Sequence, residues 1–241
     1  MLVAAAVCPC PPLLVPEVAA DAAGELDALR AACADAIGVL AASRPERLVV
    51  VGPAERPSRG VFPPGAVGTF RPFGVDLDVT LGGPGAGRQD DAAEDVPPLP
   101  PSLTVAAWLL RGWSAAPVEG MGVGEQLEPE RCAAAGRAIA GSAERVALLV
   151  MGDGTACRTV KAPGYLDERA DPFDASVAAA LAAADVPALA GLDPDLAQEL
   201  KAAGRAPWQV LAGAAEEAHL AGQLLHETAP YGVGYFVAAW T

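Results

Sequence analysis

Basic residues are scarce: sixteen lysines and arginines stand against thirty acids, and the only lysines are Lys161 and Lys201. The formal charge is −14 and the isoelectric point about 4.4. The arginines are scattered singly, so no basic patch exists in the sequence to neutralise a phosphate backbone or an anionic bilayer. Nucleic acid and membrane surfaces are therefore poor partners. No stretch reaches the roughly 20 apolar residues of a membrane-spanning helix without Pro, Gly or charge. Cysteines number five, an odd count without regular spacing, which excludes a disulfide framework and points to a reducing, cytoplasmic setting. Histidine is rarer still, with His219 and His226 alone. They form no His-x-x-x-His pair, and no Gly-x-Ser-x-Gly elbow is present. Neither Gly82–Gly87 nor Gly120–Gly124 has the spacing or the flanking strand of a dinucleotide or P-loop site, and both read as loops.

What is abundant is apolar residue: 52% of the chain is hydrophobic and 19% charged, enough for a single domain with a large buried core. Leu2–Cys8, Arg47–Val51 and Val146–Met151 are short continuous apolar runs, the mark of strands covered on both faces. No basic residue precedes Arg30, so the first run reads as a buried strand and not as an export signal. Between the first two runs, Leu26, Leu29, Ile37 and Leu40 fall at helical spacing over 21–42, with Asp21 as the expected N-cap. Strand, helix, strand predicts a right-handed parallel crossover. The spacing also predicts helices over 102–113, 129–140, 172–184, 193–203 and 207–217, a half-buried strand over 75–81, and a closing hairpin from 222–227 and 232–240. Residues 82–101, dense in Gly, Asp, Glu and Pro, read as a mobile excursion, either a lid or a surface insertion. The fold class is α/β, one domain over 1–241, with a mixed, mainly parallel sheet flanked by helices on both faces.

Ligand sites in open α/β sheets gather at the carboxyl ends of strands. Three such ends carry chemistry: Cys8-Pro9-Cys10, Gly52-Pro53-Ala54-Glu55-Arg56, and Gly152-Asp153-Gly154-Thr155-Ala156-Cys157-Arg158. Converged, they would bring together Cys10, Glu55, Asp153 and Cys157. Cys8 reads as core and Cys10 as the thiol that reaches the strand end. Cys10 is either a thiolate activated by Arg56 or Arg158, or a buried inert thiol. Asp153 is either a ligand or an Asx-turn acid, and Glu55 either a ligand or a solvated acid. His226, expected on a strand, is a candidate ligand or catalytic base or an ordinary half-buried imidazole. Cys33 and Cys132 fall within helices and read as packing residues.

The first strand followed by Pro-Pro-Leu-Leu, the strand ending in Val-Gly-Pro and the Gly-Asp turn after the third strand occur together with Ala162-Pro163-Gly164-Tyr165, Phe173-Asp174 and Ala229-Pro230-Tyr231-Gly232. As a set they resemble the class III extradiol ring-cleavage dioxygenases, in particular their catalytic-subunit domain and the related Memo-like proteins. The resemblance spans most of the chain. It implies an Fe(II) site made by a histidine after the first strand, a second after the Gly-Pro strand and an acid, with open positions for a catechol-type substrate and dioxygen. On this chain the first position is Cys10, the second Glu55 or Arg56, and a further histidine position is Ala156, beside Cys157. Every matched histidine is substituted. Two readings follow. One is a divergent relative that keeps its cleft for a small molecule or protein partner, with the oligomeric state open, a homo-oligomer included. The other is an active enzyme with an altered centre, in which Cys10, Glu55 and Asp153 hold Fe(II) or Zn(II) and Cys10, Asp153, Cys157 and His226 carry the chemistry.

Overall fold

The computed structural model describes residues 1–82 and 97–241. Most of the predicted excursion, 83–96, lies outside the described residues. Its last part is tied down: Leu99 is buried and its N–H donates to the carbonyl of Val67 at 2.9 Å.

The chain opens with strand β1 (Leu2–Cys8), a four-residue helix α1 (Pro16–Ala19) and a 3₁₀ segment over Ala20–Leu26 that leads into helix α2 (Asp27–Ala42). The single helix expected over 21–42 is thus two segments, and Asp21 lies inside the 3₁₀ part and not at an N-cap. Next come β2 (Arg47–Pro53), β3 (Gly60–Phe62), β4 (Val67–Thr69), β5 (Asp78–Thr80), α3 (Pro101–Leu109), β6 (Val118–Val123), α4 (Pro129–Ala140) and β7 (Val146–Met151). The remainder is α5 (Ala170–Ala183), α6 (Val186–Ala190), α7 (Pro194–Glu199), α8 (Arg205–Ala215), β8 (Gly222–Thr228) and β9 (Tyr235–Trp240). Among the described residues no helix is long and apolar enough to cross a membrane.

Seven strands form one sheet in the order β3-β6-β2-β7-β1-β9-β8. The four from β6 to β1 are parallel, and β3 and β9 run antiparallel to their neighbours. The three apolar runs of the sequence, β1, β2 and β7, are the contiguous centre. Their alternate residues feed two separate cores. Val7, Val51, Leu148 and Val150 pack under α4, α5 and α8, whereas Ala6, Cys8, Val50, Leu149 and Met151 pack under α2 and α3. Cover on both faces explains why these strands lack polar alternation.

Two expectations over the middle of the chain are corrected. The strand over 75–81 shrinks to β5, paired with β4 in a separate two-stranded sheet; its alternation reflects one face laid on the α3 side of the molecule, where Val79 and Leu81 are buried. The segment Gly120–Gly124, read as a loop, contains most of strand β6. A Cβ on Gly122 would stand 2.4 Å from the Ser58 carbonyl oxygen, so this strand needs glycine to let the 3₁₀ turn after β2 close over it. Ser102 does not cap α3: it lies in the first turn, buried, and its hydroxyl donates to the carbonyl of Pro53 at 2.7 Å. The helix expected over 193–203 begins as predicted but ends at Glu199, with Asp193 as its cap, accepting from the N–H groups of Asp195 and Leu196.

Candidate functional site

Neighbouring parallel strands end side by side, and β1 and β7 bring Cys10 and Asp153 together. The two strands are paired up to Cys8 and Met151, and the Gly152 N–H continues the ladder to the Cys8 carbonyl at 3.0 Å. One residue later the chain turns and the Cys10 N–H donates to Asp153 Oδ1 at 2.8 Å. The Asp153 backbone is held from behind: its carbonyl accepts from the Gly204 N–H, just ahead of α8, at 2.8 Å. A Cβ on Gly152 would stand 2.5 Å from Gly204 Cα, so glycine at 152 is what admits this approach.

The electrostatics run opposite to the thiolate expectation. Burial pushes the Cys10 thiol well above the ordinary cysteine value, and the Asp153 and Glu125 carboxylates push it the same way. Neither arginine named as its activator serves it. Arg56 is exposed in the turn after β2, and Arg158 is paired with Asp171 and, at 3.1 Å, with Asp174. Cys10 is held as a thiol. The Asp153 carboxyl is raised to about 6 by burial, an effect opposed by the hydrogen bond from the Cys10 N–H and by the thiol close by. Cys8 and Cys10 border the same core cluster, because residues two apart on an extended segment share a face.

The other named residues disperse. Glu55 is exposed. Cys157 is buried in the opposite core, its thiol directed at the Leu200 carbonyl, 3.4 Å away. His226 pairs with Val237 on β9, two strands from β1, or about 10 Å across the sheet at the usual strand spacing. Among the described residues no group of three or more His, Cys, Asp or Glu is placed to hold a metal ion. The shell of Cys10, Glu55 and Asp153 is therefore not assembled.

Three residues not named as site candidates belong to this end of the sheet. Tyr235, buried at the start of β9, has its hydroxyl pKa raised by burial and by the nearby Asp153 and Cys10. A single hydroxyl-bearing side chain opening an otherwise apolar strand was its only sequence signal. Asp174, fully buried on α5, accepts from the Thr155 N–H and hydroxyl, both at 2.9 Å, and from Arg158 at 3.1 Å. Its signal was an acid on the stripe of Ala170, Phe173 and Val177. Arg205, also buried, donates to the carbonyls of Leu127 and Glu125 and to Gln209 Oε1. It thereby fixes the loop that follows β6 and carries Glu125. Among the described residues, two surface hollows can be placed, both elsewhere. One of about 380 Å³ contains His219 and Trp240, at the opposite end of the sheet, since Trp240 pairs with Ala5 on β1. The other, about 180 Å³, lies between β6 and α4.

Fold and site together define a three-layer α/β protein with a protonatable carboxyl at the ends of its central parallel strands. No protein-family model matches the chain, and no curated protein sequence matches it. Among solved structures it is similar to the uncharacterized protein JW3007 of Escherichia coli K12, at 14% identity and a TM-score of 0.55, with 99% of each chain covered. At that identity the likeness concerns the fold, which is shared over the whole chain.

Proposed function

We propose that this chain is a divergent relative of the class III extradiol dioxygenase catalytic subunits that uses its strand-end cleft to bind a small molecule bearing an amine or hydroxyl donor, without the ring-cleavage reaction of that group. The observation that carries the reading is the Cys10–Asp153 pair. It stands where the resemblance requires a metal-ligating histidine and an adjacent turn, and it offers one backbone-held carboxyl and one protonated thiol in place of imidazoles. Two such groups can accept a hydrogen bond from a ligand but fall short of the three protein ligands of an open divalent-metal site. The groups that act on Cys10 are acidic, which disfavours carboxylate and phosphate ligands at this end of the cleft. A carboxyl poised near neutrality also suits general acid–base work, so a metal-independent enzyme is the second reading.

Two measurements test the proposal. Protein incubated anaerobically with Fe(II) and desalted is expected to retain far less than one iron per chain and to take up no oxygen with catechol. Stoichiometric iron with oxygen-dependent catechol cleavage would overturn it. A thermal-shift screen of small amines, alcohols, phenols and carboxylates should yield stabilisers only among the donors, with the amine effects lost in Asp153→Asn. Stabilisation by carboxylates alone would also sink it.

A further inference from the structure

Among the described residues every buried hydroxyl but one is bonded within the protein. Ser102 donates to the Pro53 carbonyl at 2.7 Å, Thr104 to the carbonyls of Leu99 and Pro100, and Thr155 to Asp174 Oδ2. Tyr235 is only 3% exposed, yet among the described residues its hydroxyl has no hydrogen-bond partner. A buried polar group in that position needs a cause. Trp108 Nε1, Arg205 Nε and Trp208 Nε1 are also unpaired but fully enclosed; the Tyr235 hydroxyl is not sealed, so a small molecule can reach it. Strand register places it at the Asp153 site. Val7 on β1 stands opposite Ala238 on β9, and the same register brings Cys10 level with Tyr235. On the other side of β1, Cys8 stands opposite Met151, which brings Cys10 level with Asp153, the acceptor of its N–H. Tyr235 and Asp153 thus flank Cys10, and Tyr235 and Cys10 border the same core. Burial, and after it the charges of Asp153 and Cys10, raise the pKa of the Tyr235 hydroxyl, so it is held as a phenol with a proton to donate. Tyr231, just ahead of β9, is already engaged: its hydroxyl donates to Glu25 Oε2 at 2.9 Å.

We infer that the Tyr235 hydroxyl and the Asp153 carboxyl together select a small molecule that carries an amine or hydroxyl and, a few bonds away, an uncharged carbonyl oxygen. The inference rests on the ligand reading at Asp153 and adds the class of compound. Asp153 accepts from the ligand's donor, and the phenol donates to its carbonyl oxygen. Both demands are met by amino amides and hydroxy ketones. A carboxylate in place of the carbonyl would meet the Asp153 and Glu125 charges that act on this end of the sheet, a repulsion that an uncharged oxygen avoids. An amine or alcohol without a carbonyl leaves the buried hydroxyl unpaired, and a site with a polar group to satisfy discriminates against such a ligand.

Two measurements on Tyr235→Phe, which removes the hydroxyl alone, test the inference. No protein partner is lost, so the variant should melt at or above the native temperature. A fall of several degrees would show that the hydroxyl already serves the fold, and would overturn the inference. The second measurement titrates matched ligands by NMR: leucinamide against isoamylamine, and hydroxyacetone against propanol. The carbonyl-bearing member of each pair should bind the native protein about fivefold more tightly, the worth of one neutral hydrogen bond, and the two members should bind Tyr235→Phe equally. If isoamylamine binds and is lost in Asp153→Asn, but the carbonyl brings no advantage or one that survives Tyr235→Phe, this inference falls and the Asp153 reading stands. Tighter binding of leucine than of leucinamide would also overturn it, by making the acceptor a carboxylate. If no amine or alcohol binds the native protein, both readings fall.

Discussion

Asp153 and Asp174 are the two acids set beside the end of β7, and they are served very differently. Asp174 receives three hydrogen bonds, from the Thr155 N–H and hydroxyl and from Arg158, and is fully enclosed. Asp153 receives the Cys10 N–H alone, with the Cys10 thiol close by, and is left partly open at the strand ends. Burial raises the pKa of both, yet only Asp153 is half-exposed with acceptor capacity left over. A fully enclosed carboxylate bonded to a backbone N–H, a hydroxyl and a guanidinium holds the fold together. One with lone pairs to spare is available to a ligand.

The comparison breaks most severely at Asp174. Asp174→Ala would strand two Thr155 donors in a buried setting and leave the half-buried Arg158 with Asp171 alone, and unfolding in urea should show a loss of about 3–5 kcal/mol. If that loss were under about 1 kcal/mol, Asp174 would have to be reassigned from scaffold to site.

The next largest effect is a pH dependence owed to Asp153. Its carboxyl titrates at about 6 in the fold against an ordinary value of 3.8, so in that interval the native state binds more protons than the unfolded chain. Stability from this group is fully present below about pH 4 and is lost as pH rises to about 6, by at most about 3 kcal/mol. Asp153→Asn keeps an acceptor for the Cys10 N–H and removes the charge, so it should flatten this slope and stabilise the protein above about pH 6. Urea unfolding of both proteins between about pH 4 and 8 checks the sign.

A smaller effect isolates the thiol. Cys10→Ala removes a nearby thiol that lowers the Asp153 pKa, so the carboxyl resonance of Asp153 in an NMR titration should move its midpoint upward from about 6, at a stability cost of about 1 kcal/mol. A downward shift would mean that Cys10 acts on Asp153 mainly as a negative charge. The smallest expected signal is chemical. With the thiol pKa raised, limited alkylation of native protein at about pH 7.5 should label Cys10 no faster than Cys157, and mass-spectrometric mapping reads the ratio. Preferential labelling of Cys10 would restore the activated-thiolate reading.

Much of the architecture was legible in the residue pattern. Leu2–Cys8, Arg47–Val51 and Val146–Met151 announced central strands because a strand covered on both faces must be apolar throughout, and they are neighbours in the sheet. Asp193-Pro194 announced a helix start, and the final hairpin is present as β8 and β9, with β8 at the sheet edge. β6 was not legible, because its glycines answer to the Ser58 carbonyl and to the Phe62 and Leu103 side chains, contacts that no local pattern records. Of the site, Cys10 and Asp153 were identified and do meet. Glu55, Cys157 and His226 were identified by residue type and do not join them.

The sequence by itself determined which segments must be buried and which strand ends carry a thiol or a carboxyl, because hydrophobic periodicity and turn residues act over a few neighbours along the chain. Only the tertiary structure decided what those groups became. It set Asp153 and Glu125 beside Cys10 where arginines were expected, turned Arg158 to Asp171 and Asp174, and sent Cys157 into the opposite core. Charge and solvation are sums over everything nearby in space, and in a parallel sheet the groups adjacent in space come from strands dozens of residues apart.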